Sequence, residues 1–129
     1  MTYPIVAFVV YLLTGVALTA LFMFVYEQVT PYREFAEIKA GNVSAAITLG
    51  GAIIGFTFPL ISAIYFTHSI VEMAKWAVIT GVVQLAVFLV MQRAFGFGDC
   101  VRKNNVAGAT LLAFTSISVG LINAASISY

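Results

Sequence analysis

Charged residues are scarce in this sequence: Asp, Glu, Lys and Arg make up 9% of its 129 residues, while hydrophobic residues make up 62%. A soluble domain carries about 25% charged residues and about half apolar residues. The net charge is +1 and the sequence has no basic stripe, so no nucleic acid is predicted as a partner. These figures, with a mean hydropathy of +1.05, predict an integral membrane protein whose partner is the lipid bilayer.

Cysteine and catalytic motifs are also lacking. The single Cys100 excludes an internal disulfide and a cysteine-cluster metal site. The sequence contains no Walker motif, no G-x-S-x-G elbow and no H-E-x-x-H motif. The first apolar run holds no charged residue, which argues against a proton-coupled exporter, since such proteins need a carboxylate or histidine within the membrane. We therefore predict no enzyme activity, no metal and no cofactor.

Four long apolar runs are present, at about 4–26, 43–66, 70–94 and 106–128. A helix needs about 20 apolar residues to cross a bilayer core of about 30 Å. The runs are continuous rather than alternating, which indicates helices and not barrel strands. The connections after the first and third runs hold most of the Lys and Arg residues, and such connections lie in the cytoplasm. The sequence predicts one all-α membrane domain, 1–129, with four transmembrane helices and both termini outside.

An internal repeat relates the second and fourth runs. Residues 42–64 and 105–127 align without gaps, and six positions are identical, among them Asn42 with Asn105 and Ala46 with Ala109. Each asparagine also stands where a helix N-cap is expected. The alignment predicts two tandem two-helix repeats in parallel orientation, about 4–66 and 70–128, related by a pseudo-two-fold axis along the membrane normal.

Small residues recur at helical spacing in the second and fourth runs. Helices associate in lipid through close backbone approach, which small residues permit. We predict that these two spans form the packed interior, that the first and third spans meet lipid more, and that copies of the chain self-associate through the same two spans. Pro59 cannot donate to the carbonyl of Gly55, so we also predict a kink there. The packing residues are Gly51, Gly55, Ala109, Ala113, Ser116, Gly120 and Ala124.

Polar side chains within the runs permit two interpretations. They are interhelical hydrogen-bonding groups, or they line a polar path. The first interpretation favours a structural membrane component, and the second favours an ion channel or small-solute pore formed by an oligomer. The candidates are Thr48, Thr57, Gln84, Thr115, Ser118 and Asn123.

The first connection, "TPYREFAEIKAGN", predicts a short helix on the cytoplasmic membrane surface. Gly41 suits the end of such a helix. The alternative is a solvated loop. In either case the connection is available to a cytoplasmic protein partner. Its apolar side comprises Tyr32, Phe35 and Ile38, and its polar side comprises Arg33, Glu34 and Glu37.

Three stretches carry a resemblance to a known family: "TPYREFAEIKAGNVSAA", "GFTFPLISAI" and the ending "GLINAASISY". Over essentially its whole length the chain resembles the bacterial inner-membrane proteins of the domain-of-unknown-function 350 family. The resemblance implies a bacterial inner-membrane location and a four-helix protein built from two copies of a two-helix unit. It implies no catalytic residues. The leading hypothesis is a small, self-associating polytopic membrane component, and the alternative is the oligomeric pore.

Overall fold

The computed structural model describes residues 2–30, 34–94 and 103–127, and every element in these ranges is an α-helix. Four of the five described helices are long and apolar enough to cross a membrane. The all-α class and the four predicted spans are therefore confirmed. The helices are α1 (Thr2–Val29), α2 (Glu34–Lys39), α3 (Val43–Thr67), α4 (Ile70–Ala94) and α5 (Val106–Ile127).

Side-chain caps set the first residues of three spanning helices. The Oδ1 atoms of Asn42 and Asn105 each accept a hydrogen bond from the backbone amide three residues further on, at 3.1 and 3.2 Å. Ser69 Oγ accepts one from the amide of Glu72 at 3.4 Å. Each bond satisfies an amide that has no partner within its own helix. The predicted N-caps of α3 and α5 are confirmed.

A tight turn joins α2 to α3. The amide of Gly41 donates to the Ile38 carbonyl at 3.0 Å, and that of Asn42 donates to the Glu37 carbonyl at 2.9 Å. This pair of bonds is a Schellman motif, in which the residue after the helix adopts a positive φ. Gly41 has a φ of 91°, which glycine adopts without strain. A short helix is therefore present where the sequence predicts one, and Asn42 both closes α2 and caps α3.

Helix α3 is the centre of the bundle. In the most apolar 18-residue segment of α3, half of the residues are buried. The corresponding share is one third in α4 and in α5 and 6% in α1. The prediction that the third span meets lipid more than the fourth is wrong. The reason is that α4 packs directly on α3 and buries Met73, Ala77, Gln84 and Phe88. Bulky side chains pack a span as well as small ones do when the neighbouring helix does not need to approach closely.

Aromatic contacts join the C-terminal half of α1 to α3 and α4. Phe22 stacks on Phe56 of α3, with ring centroids 4.4 Å apart and planes 6° apart. Tyr26 contacts Phe88 of α4 at 4.9 Å between centroids. The rest of α1 is largely exposed, which matches the predicted lipid contact of the first span.

Candidate functional site

Helices α3 and α5 approach each other more closely than side chains larger than glycine would allow. A Cβ atom added to Gly51 would lie 2.5 Å from Ala113 Cα. A Cβ atom on Gly55 would collide with the Ser116 backbone, and one on Gly120 would collide with the Gly55 backbone. Backbone contact of this kind is how helices associate in lipid. These predicted packing residues therefore join two helices of one chain, and they leave no free surface for a second copy.

The other two predicted packing residues differ in burial. Ala109 is fully buried, whereas Ala124 is partly exposed. The contact between α3 and α5 extends to their N-terminal ends. There, Asn104 Oδ1 accepts hydrogen bonds from the amide and the Oγ of Ser44, at 3.1 and 2.9 Å. Asn104 thus links the turn before α5 to the first turn of α3.

The Gly55 carbonyl is the point where α3, α4 and α5 meet. Pro59 lies four residues later within the continuous helix α3, and it has no amide hydrogen to donate to this carbonyl. Gln84 of α4 supplies the donor instead: its Nε2 lies 2.9 Å from Gly55 O, and its side chain is only 3% exposed. We call Gly55, Pro59, Gln84 and Gly120 the Gly55 junction.

Three of the predicted lining residues bond to their own helices. The hydroxyls of Thr48, Thr57 and Thr115 each donate to the carbonyl four residues earlier, at 3.1, 2.7 and 2.9 Å. They also lie in different surroundings. Thr48 is buried, Thr57 borders a groove between α1 and α3, and Thr115 is partly exposed on α5. Their hydroxyl donors are therefore used locally and do not converge on a common path.

The remaining two lining candidates also lie apart. Ser118 is exposed on α5. Asn123 Nδ2 is buried and has no hydrogen-bond partner in the part of the chain that the structure describes. A buried donor without a partner costs about 1–3 kcal/mol. Within the described residues, Gln84 takes the freed carbonyl and Asn123 does not, so one chain does not join the six candidates into a polar passage.

Two apolar grooves flank α1, and the sequence patterns did not predict them. The larger has a volume of about 400 Å³ and separates α1 from α3, with Gly15, Thr19, Thr57 and Ile61 among its lining residues. The smaller has a volume of about 160 Å³ and separates α1 from α4. Gly15 is the sequence signal that could have indicated a close approach of α1 to α4. A Cβ atom added to Gly15 would lie 3.6 Å from Met73 Cε of α4.

On the predicted polar side of the helix, the carboxylate of Glu37 has a partner. Its Oε2 accepts a hydrogen bond from Asn42 Nδ2 at 2.9 Å, so this carboxylate supports the turn into α3. Ile38 packs on Ala45, as expected of the apolar side, while Phe35 is 44% exposed. Tyr32, Arg33 and the side chain of Glu34 lie outside the described residues.

Titratable groups do not form a metal site in the described ranges, where no three His, Cys, Asp or Glu side chains cluster. Glu72 instead faces Lys75, with 3.4 Å between Oε1 and Nζ, and both side chains are well exposed.

Four apolar spanning helices packed around a backbone contact define a multi-pass helical membrane protein. A family model described as Domain of Unknown Function (DUF350) matches residues 1–127. The chain therefore belongs to the DUF350 family, and the resemblance seen in its motifs is confirmed.

Relatives from two bacteria agree with this assignment. The "UPF0719 inner membrane protein YjfL" of Escherichia coli K12 is 29% identical over 126 residues, which cover 97% of this chain and 96% of the relative. The "UPF0719 transmembrane protein YshE" of Bacillus subtilis 168 is 27% identical over 120 residues, covering 91% and 90%. No solved structure matches the chain. The protein is thus a multi-pass protein of the bacterial inner membrane, and neither relative's name states an activity.

Proposed function

We propose that the protein is a structural component of the inner membrane that self-associates and has no enzyme activity. The Gly55 junction carries this proposal. A transport path needs polar groups that are free to bind a passing solute, but here the amide of Gln84 is bound to a backbone carbonyl. The contact between α3 and α5 is made of backbone and small side chains, which leaves no room for water along it.

We also propose that the four spans form two tandem repeats with both termini outside. Contacts between α3 and α5 advance in the same direction along both helices: Ser44 meets Asn104, Gly51 meets Ala113, and Gly55 meets Gly120. The sequence separations are 60, 62 and 65 residues, close to the 63 residues of the alignment between Asn42 and Asn105. Parallel packing at this separation supports a tandem repeat within the single domain 1–129.

The proposed orientation is supported by charge. Lys39, Arg93 and Lys103 are exposed at the ends of helices that the repeat places on one side, and only Lys75 lies at the opposite ends. An excess of basic residues marks the cytoplasmic side.

The exposed cytoplasmic side is the proposed contact for a soluble protein partner. Phe35 and Lys39 of α2 are both exposed, unlike Glu37. The test is affinity purification from membranes of the tagged protein and of a Phe35→Ala/Lys39→Glu variant. Loss of a co-purifying protein from the variant, at equal yield, supports this contact. A Glu72→Lys variant, altered on the opposite side, serves as the control, and equal loss from it contradicts the assignment.

An oligomeric pore is the second candidate, and one observation favours it: among the described residues, the buried Asn123 Nδ2 of a spanning helix has no hydrogen-bond partner. The two functions differ in a flux experiment with purified protein in liposomes. A structural role predicts the same ion and small-solute flux as in empty vesicles. A pore predicts flux that falls with Asn123→Leu and not with Thr115→Val, whose parent hydroxyl is already bonded to its own helix.

A further inference from the structure

The larger groove, between α1 and α3, extends from near one end of α3 to the middle of that helix. On α3 it is lined from Thr57 to Ile64, and α3 ends at Thr67. Next to Thr57, Phe56 stacks on Phe22 of α1, so the groove ends where the two helices come into contact. At a rise of 1.5 Å per residue, Thr57 to Thr67 covers about 15 Å, which is half of a bilayer core of about 30 Å. The groove therefore has the depth of one leaflet, on the side of the turn between α3 and α4.

The wall of this groove offers almost no free polar group. Two threonines line it, and both hydroxyls donate to carbonyls of their own helices: Thr19 to Gly15 at 2.9 Å and Thr57 to Ile53 at 2.7 Å. Apart from Tyr11, the other described lining residues are apolar. An apolar space of about 400 Å³ stays dry and accepts apolar molecules. The chemistry of the wall therefore requires an occupant that is hydrocarbon along most of its length.

The absence of a side chain at Gly15 makes the groove deep. A Cβ atom added there would lie 3.9 Å from Leu60 Cδ2 and 3.6 Å from Met73 Cε, so the backbone of α1 approaches these side chains directly. Val16 and Ile61, which line the groove on α1 and on α3, are more than half exposed. A molecule in the groove thus contacts α1 and α3 at the same time, whereas a molecule elsewhere on α1 contacts only one helix.

The groove is also narrow. On α1 it is lined from Tyr11 to Met23, which is about three helical turns. One turn of a helix about 10 Å across already occupies roughly 400 Å³, and that is the volume of the whole groove. A space of this length and volume is too narrow for a helix of another protein and fits a single extended chain.

We propose that the groove binds one acyl chain of a phospholipid, from the leaflet at the α3–α4 turn. The groove lies between two spanning helices of an inner-membrane protein, so phospholipid surrounds its open side. Tyr11 lies one turn from Gly15, toward the end of the groove near the membrane surface. Tyrosine rings favour this interface, and the hydroxyl can donate to an ester carbonyl of the lipid. The bound lipid is held between two helices and exchanges more slowly than the lipids around the protein. This site does not depend on the proposed self-association.

Photo-labelling of the wild-type protein tests the site. The protein is placed in nanodiscs with phosphatidylethanolamine that carries a diazirine in one acyl chain, and the labelled residues are identified by mass spectrometry. Leu12 and Leu13 form a matched pair, since both are exposed on α1 but only Leu12 is among the described lining residues. We expect at least fivefold more label on Leu12 than on Leu13. Equal labelling means that lipid only surrounds the protein, and weaker labelling of Leu12 means that another protein segment covers the groove. Either result overturns the proposal.

Filling the groove provides the second readout. Ala17 and Ala20 are both exposed on α1, and only Ala20 is among the described lining residues of either groove. Native mass spectrometry counts the phosphatidylethanolamine retained by each purified chain. We expect wild type and Ala17→Phe to retain one molecule, and Ala20→Phe to retain it at least fivefold less often. No retained lipid in wild type, or equal retention by the two variants, contradicts the site. The labelling experiment decides the proposal even if Ala20→Phe does not fold.

Discussion

At the scale of single residues, the Gly55 junction shows how a proline is accommodated in a spanning helix. Pro59 removes one backbone donor, and Gln84 replaces it from a neighbouring helix. In lipid, such replacement is necessary because no water is available to bind the carbonyl. The amide of Gln84 therefore fixes the position of α4 along α3.

The pairing of Gln84 with Pro59 predicts a double-mutant cycle. Gln84→Leu should lower the free energy of unfolding by about 1 kcal/mol, since it leaves the Gly55 carbonyl without a donor. In a Pro59→Ala background the backbone amide returns, and the same substitution should have little effect. Unfolding is measured by steric trapping in bicelles, with Gln28→Leu at the exposed end of α1 as the control. Equal losses in both backgrounds would contradict this role of Gln84.

The adjacent glycines Gly50 and Gly51 predict opposite responses to the same change. Gly51→Ala should destabilise the chain by about 1–3 kcal/mol, because its Cβ atom would lie 2.5 Å from Ala113 and helices must separate to admit it. Gly50→Ala should be neutral or slightly stabilising, since nothing lies near its Cβ and alanine favours the helix. Both are measured in the same trapping experiment. A similar loss at both positions would contradict the close contact at Gly51.

At the scale of elements, the sequence predicts the helix limits well where polar caps mark them. Asn42 and Asn105 identify the starts of α3 and α5, and Gly41 identifies the end of α2. The contact partners of polar residues were less predictable. Gln84 is central in its span, but only the packing of α4 against a proline-containing helix gives its amide an acceptor. The hydrogen bond that Glu37 accepts from Asn42 is another such contact, because helical periodicity alone does not show the turn that follows.

The turn between α2 and α3 predicts a measurable effect of its glycine. Gly41 has a φ of 91°, where an L-residue is strained by about 1–2 kcal/mol. Gly41→Ala should therefore loosen α2 from the bundle and increase hydrogen exchange at the amides of Gly41 and Asn42 that close the turn. Gly50→Ala, in the open part of α3, is the control. Unchanged exchange at these two amides would contradict the strain argument.

At the scale of the whole molecule, burial divides the four spans unevenly. The sequence places α3 at the centre through its small residues, but it does not distinguish α4 from α1 because both runs are bulky and apolar. The distinction depends on which side chains meet across helices, as Phe56 meets Phe22 and Gln84 meets Gly55. The repeat predicts equivalent positions for α3 and α5, yet half of the most apolar segment of α3 is buried and only one third of that of α5.

The proposed orientation predicts the accessibility of the single cysteine. Cys100 belongs to the third connection, which the distribution of basic residues places in the cytoplasm. A membrane-impermeant thiol reagent should label it in inverted membrane vesicles and not in intact spheroplasts. A Cys100→Ser/Ser69→Cys variant provides the control on the opposite side, with the reverse result expected. Labelling of Cys100 in intact spheroplasts would reverse the orientation.

The low burial of α1 has a consequence for how many substitutions its sequence tolerates. Only 6% of its most apolar segment is buried, and its contacts with the other helices include Gly15, Phe22 and Tyr26. Most other positions in this helix are exposed, so in a membrane we expect them to be restricted to apolar character and not to a particular shape. The information that places α1 is therefore concentrated in a few side chains, and much of the rest is interchangeable.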